Sequence, residues 1–126
     1  MTTVYDTGVL IAADRNDRGV WADHRVRLEA GLVPLTTSPV VAQASRSPRQ
    51  AQLRRFLRGC DVMGFTPGEA HQVGTLLGKS STTDVVDAHV ALIGSRVAGT
   101  VITSDPEDLR GLATHTRPTF AVVAVG

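Results

Sequence analysis

Four aspartates in this chain combine residue type and spacing in a way that suits metal-assisted chemistry. Asp84 and Asp87 stand three positions apart in SSTTDVVDAHVAL, directly before an apolar run. That run predicts a helix, so both carboxylates fall on one side of it. Asp6 closes the segment TTVYD, and Asp105 follows the segment TVITS. Each segment reads as a short buried strand, so both acids are expected just past a strand end. Carboxylates gathered in one crevice repel one another, raise one another's pKa and lose hydration, and a divalent cation offsets those costs. Magnesium suits such a set because it takes oxygen ligands, keeps several waters and is usually held by one or two carboxylates plus phosphate. The chemistry that follows is attack of an activated water on a phosphodiester.

Each acid also has an ordinary reading. Asp84, at the start of a helix, is first a helix cap. Asp6 and Asp105 are each as readily caps as ligands, and Glu107 and Asp108, one turn into a short helix, are by default solvated charge. The set carries the inference, not any one member.

The elements that must position these acids alternate along the chain. Strand patterns occur at 2–6, 32–37, 61–65, 100–103 and 120–125. Between them lie helical patterns at 7–13, 20–30, 38–45, from Ser47-Pro48 to Arg58, from Thr66-Pro67 to Leu77 with Gly78 as a stop, at 84–97, and at 105–112. Short apolar strands alternating with helices indicate a parallel sheet covered on both faces. Such sheets bind ligands beyond the C-terminal ends of their strands, near the point where strand order reverses. Asp6 and Asp105 follow two of these strands, and Asp87 lies on the helix feeding the fourth.

With 126 residues, of which 42% are apolar, the chain is expected to form one domain over 1–126. Its net charge of +1 favours neither a nucleic-acid nor an acidic partner, so charge distribution matters more than the sum. Between Arg46 and Arg58 there are five arginines and no acid, a local basic face to which a nucleic-acid backbone would be drawn. Arg46 and Arg49 are the candidates for substrate contact, and a plain solvated helix face is the alternative. The single cysteine, Cys60, rules out an internal disulfide and fits a reducing cytoplasm. No stretch has the roughly 18 to 20 apolar residues needed to span a bilayer, and no export signal is legible. His24, His71, His89 and His115 share no ligand spacing and read as surface or core residues. GTLLGKSS at 74–81 has three residues between its glycines where a phosphate loop needs four, and it lies in a helical pattern.

In three segments, VYDTGVLIAA at 4–13, DVVDAHVALIG at 84–94 and VITSDPEDL at 101–109, the chain resembles PIN domains, specifically the VapC-type toxin ribonucleases of bacterial toxin–antitoxin pairs. The resemblance implies an α/β three-layer sandwich with a five-stranded parallel sheet in the order 3-2-1-4-5, flanked by helices. It implies Asp6, Asp87 and Asp105 as metal-holding acids, Asp84 and Asp108 as auxiliaries, and Ser104 as a residue orienting water or a carboxylate. The cofactor would be Mg2+ or Mn2+ and the substrate RNA. The partners would be a cognate antitoxin and a second copy of the chain. One position departs from the pattern: where the family usually has a glutamate, SPVVAQASR carries Gln43, which hydrogen-bonds but supplies no charge.

The readings left open are an endoribonuclease with weaker metal affinity, one in which Asp84 compensates, and a domain that binds RNA or antitoxin without cutting efficiently. Phosphoryl transfer through an aspartyl phosphate at Asp6 fits poorly, since Gly8 stands where such a pattern needs a second aspartate.

Overall fold

The computed structural model describes residues 1–125. Among these, five strands form one sheet: β1 (Thr3–Tyr5), β2 (Leu35–Thr37), β3 (Asp61–Met63), β4 (Thr100–Thr103) and β5 (Ala121–Ala124). Their order is β3-β2-β1-β4-β5 and every pairing is parallel. The expected sheet order is therefore observed, with the reversal between β1 and β4. The seven helices among the described residues are α1 (Thr7–Asp14), α2 (Arg18–Glu29), α3 (Ser38–Ala44), α4 (Ala51–Leu57), α5 (Pro67–Ser80), α6 (Val85–Arg96) and α7 (Pro106–Ala113).

The central strands are short and covered on both faces. Val4, Tyr5 and Val101 are buried beneath helical residues that include Val9, Leu10, Val90 and Ile93. On one side α2 and α4 meet over β1 through aromatic rings. His24 stacks on Phe56 at 4.0 Å, and Tyr5 and Trp21 approach the same phenyl ring at 5.3 and 5.1 Å. The polar tips within this cluster are paired, with Tyr5 Oη and His24 Nδ1 2.9 Å apart and Arg27 donating to Tyr5 Oη at 3.2 Å. Burial pushes the Tyr5 phenol up to about 12 and holds the His24 imidazole below its usual range. His24 is thus a satisfied core histidine.

Several boundaries differ from the sequence reading, each for a local reason. Gly78 does not stop α5, which continues to Ser80 and ends where Ser81 adopts the left-handed conformation at φ 56°. A glycine weakens a helix without ending it. Residues 74–80 are accordingly helical, and the stretch is not a phosphate loop. Ser47-Pro48 does not restart a helix. The Gln50 side chain accepts from the Arg46 and Ser47 amides at 2.6 and 3.1 Å and holds the chain as a loop until Ala51. β2 is confined to Leu35–Thr37 and β3 to Asp61–Met63. Cys60 is half-buried, and burial pushes its thiol up to about 12, as suits an inert structural cysteine.

Candidate active site

The register of the two central strands builds the site. Tyr5 pairs with Ile102, and the Asp6 amide donates to Ile102 O at 2.9 Å, so Asp6 emerges beside Thr103 at the sheet's C-terminal edge. The Thr103 hydroxyl donates to Asp6 Oδ2 at 2.6 Å and accepts from the Asp105 amide at 2.9 Å. One threonine therefore ties together the two acids that follow strands 1 and 4. The sequence reading passed over Thr103. Its signal was a polar residue at an inward position of a strand end, and it is fully buried.

Asp6 is only 2% exposed, yet its Oδ1 has no hydrogen-bond partner. It stands at the N-cap of α1 without making a side-chain cap bond. Burial raises its pKa first of all, and Asp105 and Asp84 raise it further. The Thr103 hydroxyl and the nearby Thr7 amide pull it down, but that amide leaves Oδ1 unpaired. A buried carboxylate oxygen with no donor costs on the order of 1–3 kcal/mol or more, so the fold tolerates a deficit here.

Asp87 occupies the first turn of α6, whose N-terminus faces the same edge. Its carboxyl is pushed up to about 7, by burial first and then by Asp6, Asp84, Asp105 and Asp108 in that order. The five acids singled out in the sequence thus share one electrostatic neighbourhood. Their individual roles differ. Asp84 accepts from the Asp87 amide at 2.9 Å and is a helix cap, its ordinary reading. Asp105 precedes α7 without a side-chain cap bond, and it lines an open depression with Ser104, Glu107 and Asp108. Ser104, Asp105 and Asp108 are all exposed.

Among the described residues, no three His, Cys, Asp or Glu side chains stand close enough to hold one ion between them. The acids are brought to one edge without being drawn together into a closed ligand set. Mutual repulsion and the commitment of Asp84 to its cap oppose closer approach. The donor chemistry nevertheless fits a cation, because the orphaned Asp6 Oδ1 and the raised Asp87 are both groups that a nearby positive charge would relieve.

Two further residues shape the edge. A Cβ on Gly8 would lie 2.4 Å from Ser104 Oγ and 2.6 Å from Ser104 Cβ, so α1 and the end of β4 meet this closely only because residue 8 is glycine. Gln43, exposed near the end of α3, accepts from the Thr7 hydroxyl at 2.5 Å. That bond brings residue 43 alongside the residue following Asp6. Arg46 lines a depression with Gln43, whereas Arg49 is exposed outside it.

Solved structures share this architecture. VapBC2 from Rickettsia felis, crystallised bound to a DNA fragment from their promoter, has a chain that superposes with a TM-score of 0.71 over 100% of both chains at 14% identity. PAE2754 from Pyrobaculum aerophilum matches at a TM-score of 0.65, covering 99% of this chain and 92% of that one at 17% identity. The chain has the PIN-like fold. No protein-family model matches the sequence, and no curated protein matches it. The likeness at low identity lies in the alternation of strands and helices and the order of the sheet. Within this PIN-like fold the acidic edge lies at the switch between β1 and β4, where open α/β sheets bind ligands.

Proposed function

We propose that the protein is a magnesium- or manganese-dependent endoribonuclease acting as the toxin of a toxin–antitoxin pair. The observation that carries this reading is the unpartnered, buried Oδ1 of Asp6 at the same edge as Asp87, whose carboxyl is pushed up to about 7 by burial and then by four other acids. Such an edge is poorly suited to stability and well suited to a divalent cation. The structural likeness to VapBC2 supports the toxin assignment.

Asp6, Asp87 and Asp105 would hold the metal, with Asp84 and Asp108 adding negative charge nearby. When bound, the cation supplies the charge that activates water toward a phosphodiester and steadies the leaving oxygen. The chain's own residues do the positioning. Thr103 fixes the Asp6 carboxylate and the Asp105 backbone together, and Gly8 lets Ser104 close against α1, where its hydroxyl orients a water or a carboxylate. Arg46 and Arg49 draw the RNA backbone toward the edge. The partners are a cognate antitoxin and a second copy of the chain, and the compartment is the cytoplasm. Among the described residues, no helix is long and apolar enough to cross a membrane.

A second reading is favoured by one observation: Gln43 occupies the position where the family usually has a glutamate, and its carbonyl is bound by Thr7. On that reading the domain binds RNA or antitoxin with cleavage much reduced. Cleavage of end-labelled RNA, with magnesium or manganese and with EDTA, separates the two. The nuclease reading expects metal-dependent products from the wild type and about 10²- to 10³-fold less from Asp87→Asn. An inactive wild type made active by Gln43→Glu establishes the second reading. Metal-independent cleavage, or cleavage unaffected by Asp87→Asn, refutes the first.

A further inference from the structure

Gln43 does more than withhold a charge. The Thr7 hydroxyl donates to Oε1 of Gln43, so the acceptor end of the amide is turned to α1 and its two N–H donors are left to the outer side. Gln43 lines a depression of about 370 Å³ together with Ile11, Asp14, Arg15, Ala44, Arg46 and Gln50. Thr7, Ile11 and Arg15 recur every four residues, so they form one stripe leading away from Asp6 along α1. Eight residues of helical rise make that stripe ~12 Å long, about three nucleotides at the 3.4 Å rise of a stacked strand.

The trough is preformed. Gln50 accepts from the Arg46 and Ser47 amides and donates to Ala44 O at 3.0 Å and Asp14 Oδ2 at 3.1 Å, so a single side chain fastens the loop between α3 and α4 to α1. Arg46 is oriented by bonds from Nη1 to Ser45 O at 2.8 Å and Ala42 O at 3.4 Å. Its remaining N–H groups stay available. Arg15 and Arg46 are exposed. Asp14 opposes them, with one of its oxygens occupied by Gln50.

We propose that this trough is a phosphate-binding subsite that carries the RNA strand away from the acidic edge, with Arg15, Arg46 and the amide of Gln43 as its donors. In this chain, the amide at residue 43 is suited to binding the substrate's anionic backbone and not to holding a cation. A glutamate there would repel the same phosphate. The inference rests on the nuclease reading, and it adds Arg15 to the substrate surface, while Arg49 lies outside this trough.

The test is binding of a 5′-fluorescein single-stranded RNA of about 12 nucleotides in EDTA, where metal-dependent cutting is silent, by anisotropy across a salt series. Arg15→Ala and Arg46→Ala should each weaken binding by about threefold and lower the slope of log affinity against log salt by about 0.7. Gln43→Glu should weaken binding in EDTA even where it strengthens magnesium binding. Asp14→Asn should tighten it, and Arg25→Ala, on the exposed face of α2, should leave it unchanged. Arg46→Lys, which keeps the charge, serves if Arg46→Ala does not fold. If the wild type cuts RNA but the Arg15 and Arg46 variants keep its affinity and salt slope, the trough is refuted and the nuclease stands. If the wild type neither binds nor cuts RNA, both are refuted.

Discussion

Glu69 and Asp6 are both buried carboxylates, 7% and 2% exposed, and the fold treats them in opposite ways. Glu69 closes a capping box at the start of α5, accepting the Thr66 amide at 3.0 Å while Thr66 Oγ1 accepts the Glu69 amide at 3.1 Å. Arg96 pairs with it at 2.9 Å, and His89 Nε2 lies 3.5 Å away. The Thr66 amide, followed by Arg96 and His89, outweighs the cost of burial and holds its pKa below the usual range. Asp6 has one hydroxyl, an orphaned oxygen and other acids for neighbours, and its pKa is raised. A carboxylate whose partners all come from its own chain is a structural member. One whose partner is missing, among others with the same need, is where the proposed function would place an outside cation.

The largest expected contrast is in activity. Asp6→Asn or Asp87→Asn should lower metal-dependent RNA cleavage by about 10²- to 10³-fold without reducing stability in EDTA, because each removes repulsion. Glu69→Ala should do the reverse: a loss of about 1–3 kcal/mol in urea denaturation, from the vanished capping box and the partners left unpaired, with cleavage by the folded protein unchanged. Equal effects of the two kinds of change on both readouts would erase the distinction.

Thr103→Val tests the threonine that joins the two acids. The near-isosteric change strips Asp6 of its one side-chain donor and frees the Asp105 amide. We expect a loss of about 1–2 kcal/mol in EDTA and a 10- to 100-fold weaker apparent metal affinity, as for other residues that orient ligands. Unchanged metal affinity would reduce Thr103 to a packing residue.

A smaller effect is expected in the pH dependence of stability without metal. Asp87 has a native pKa near 7, well above its unfolded value, so between the two the native state holds a proton that the unfolded state has released. Its contribution therefore falls as pH rises from about 4 to about 7. Glu69 has a lowered pKa, so its contribution is full above the usual glutamate range and is lost as pH drops through the lower native value. Thermal melts in EDTA should show the decline toward pH 7 in the wild type and much less of it in Asp87→Asn. Magnesium should flatten the decline, because it favours the ionised form.

Much of this architecture is legible in the residues because it rests on patterns of short range. Alternating strands and helices foretold a parallel sheet, and the acids past strands 1 and 4 foretold a shared edge. What stayed hidden depends on contacts between distant segments. The role of Thr103 follows from the register of β1 against β4, and the closeness permitted by Gly8 follows from the approach of α1 to Ser104. The partnership of Gln43 with Thr7 spans 36 positions. His89 and His24 illustrate the same limit. Both were read without a definite place, and both proved buried, one against Glu69 and Phe65 and the other against Tyr5 and Phe56. The local signal also misled at Gly78 and Ser47-Pro48, where an αL residue and a glutamine side chain set the boundaries.

A crystal soaked in manganese and measured at the metal's absorption edge reads the acidic edge directly. An anomalous peak within ligand distance of Asp6 Oδ1 and the Asp87 carboxylate, with Asp105 drawn in toward it, is the expected result. Full soaking with no peak there, and with the three carboxylates still apart, would contradict the assignment of this edge as a metal site.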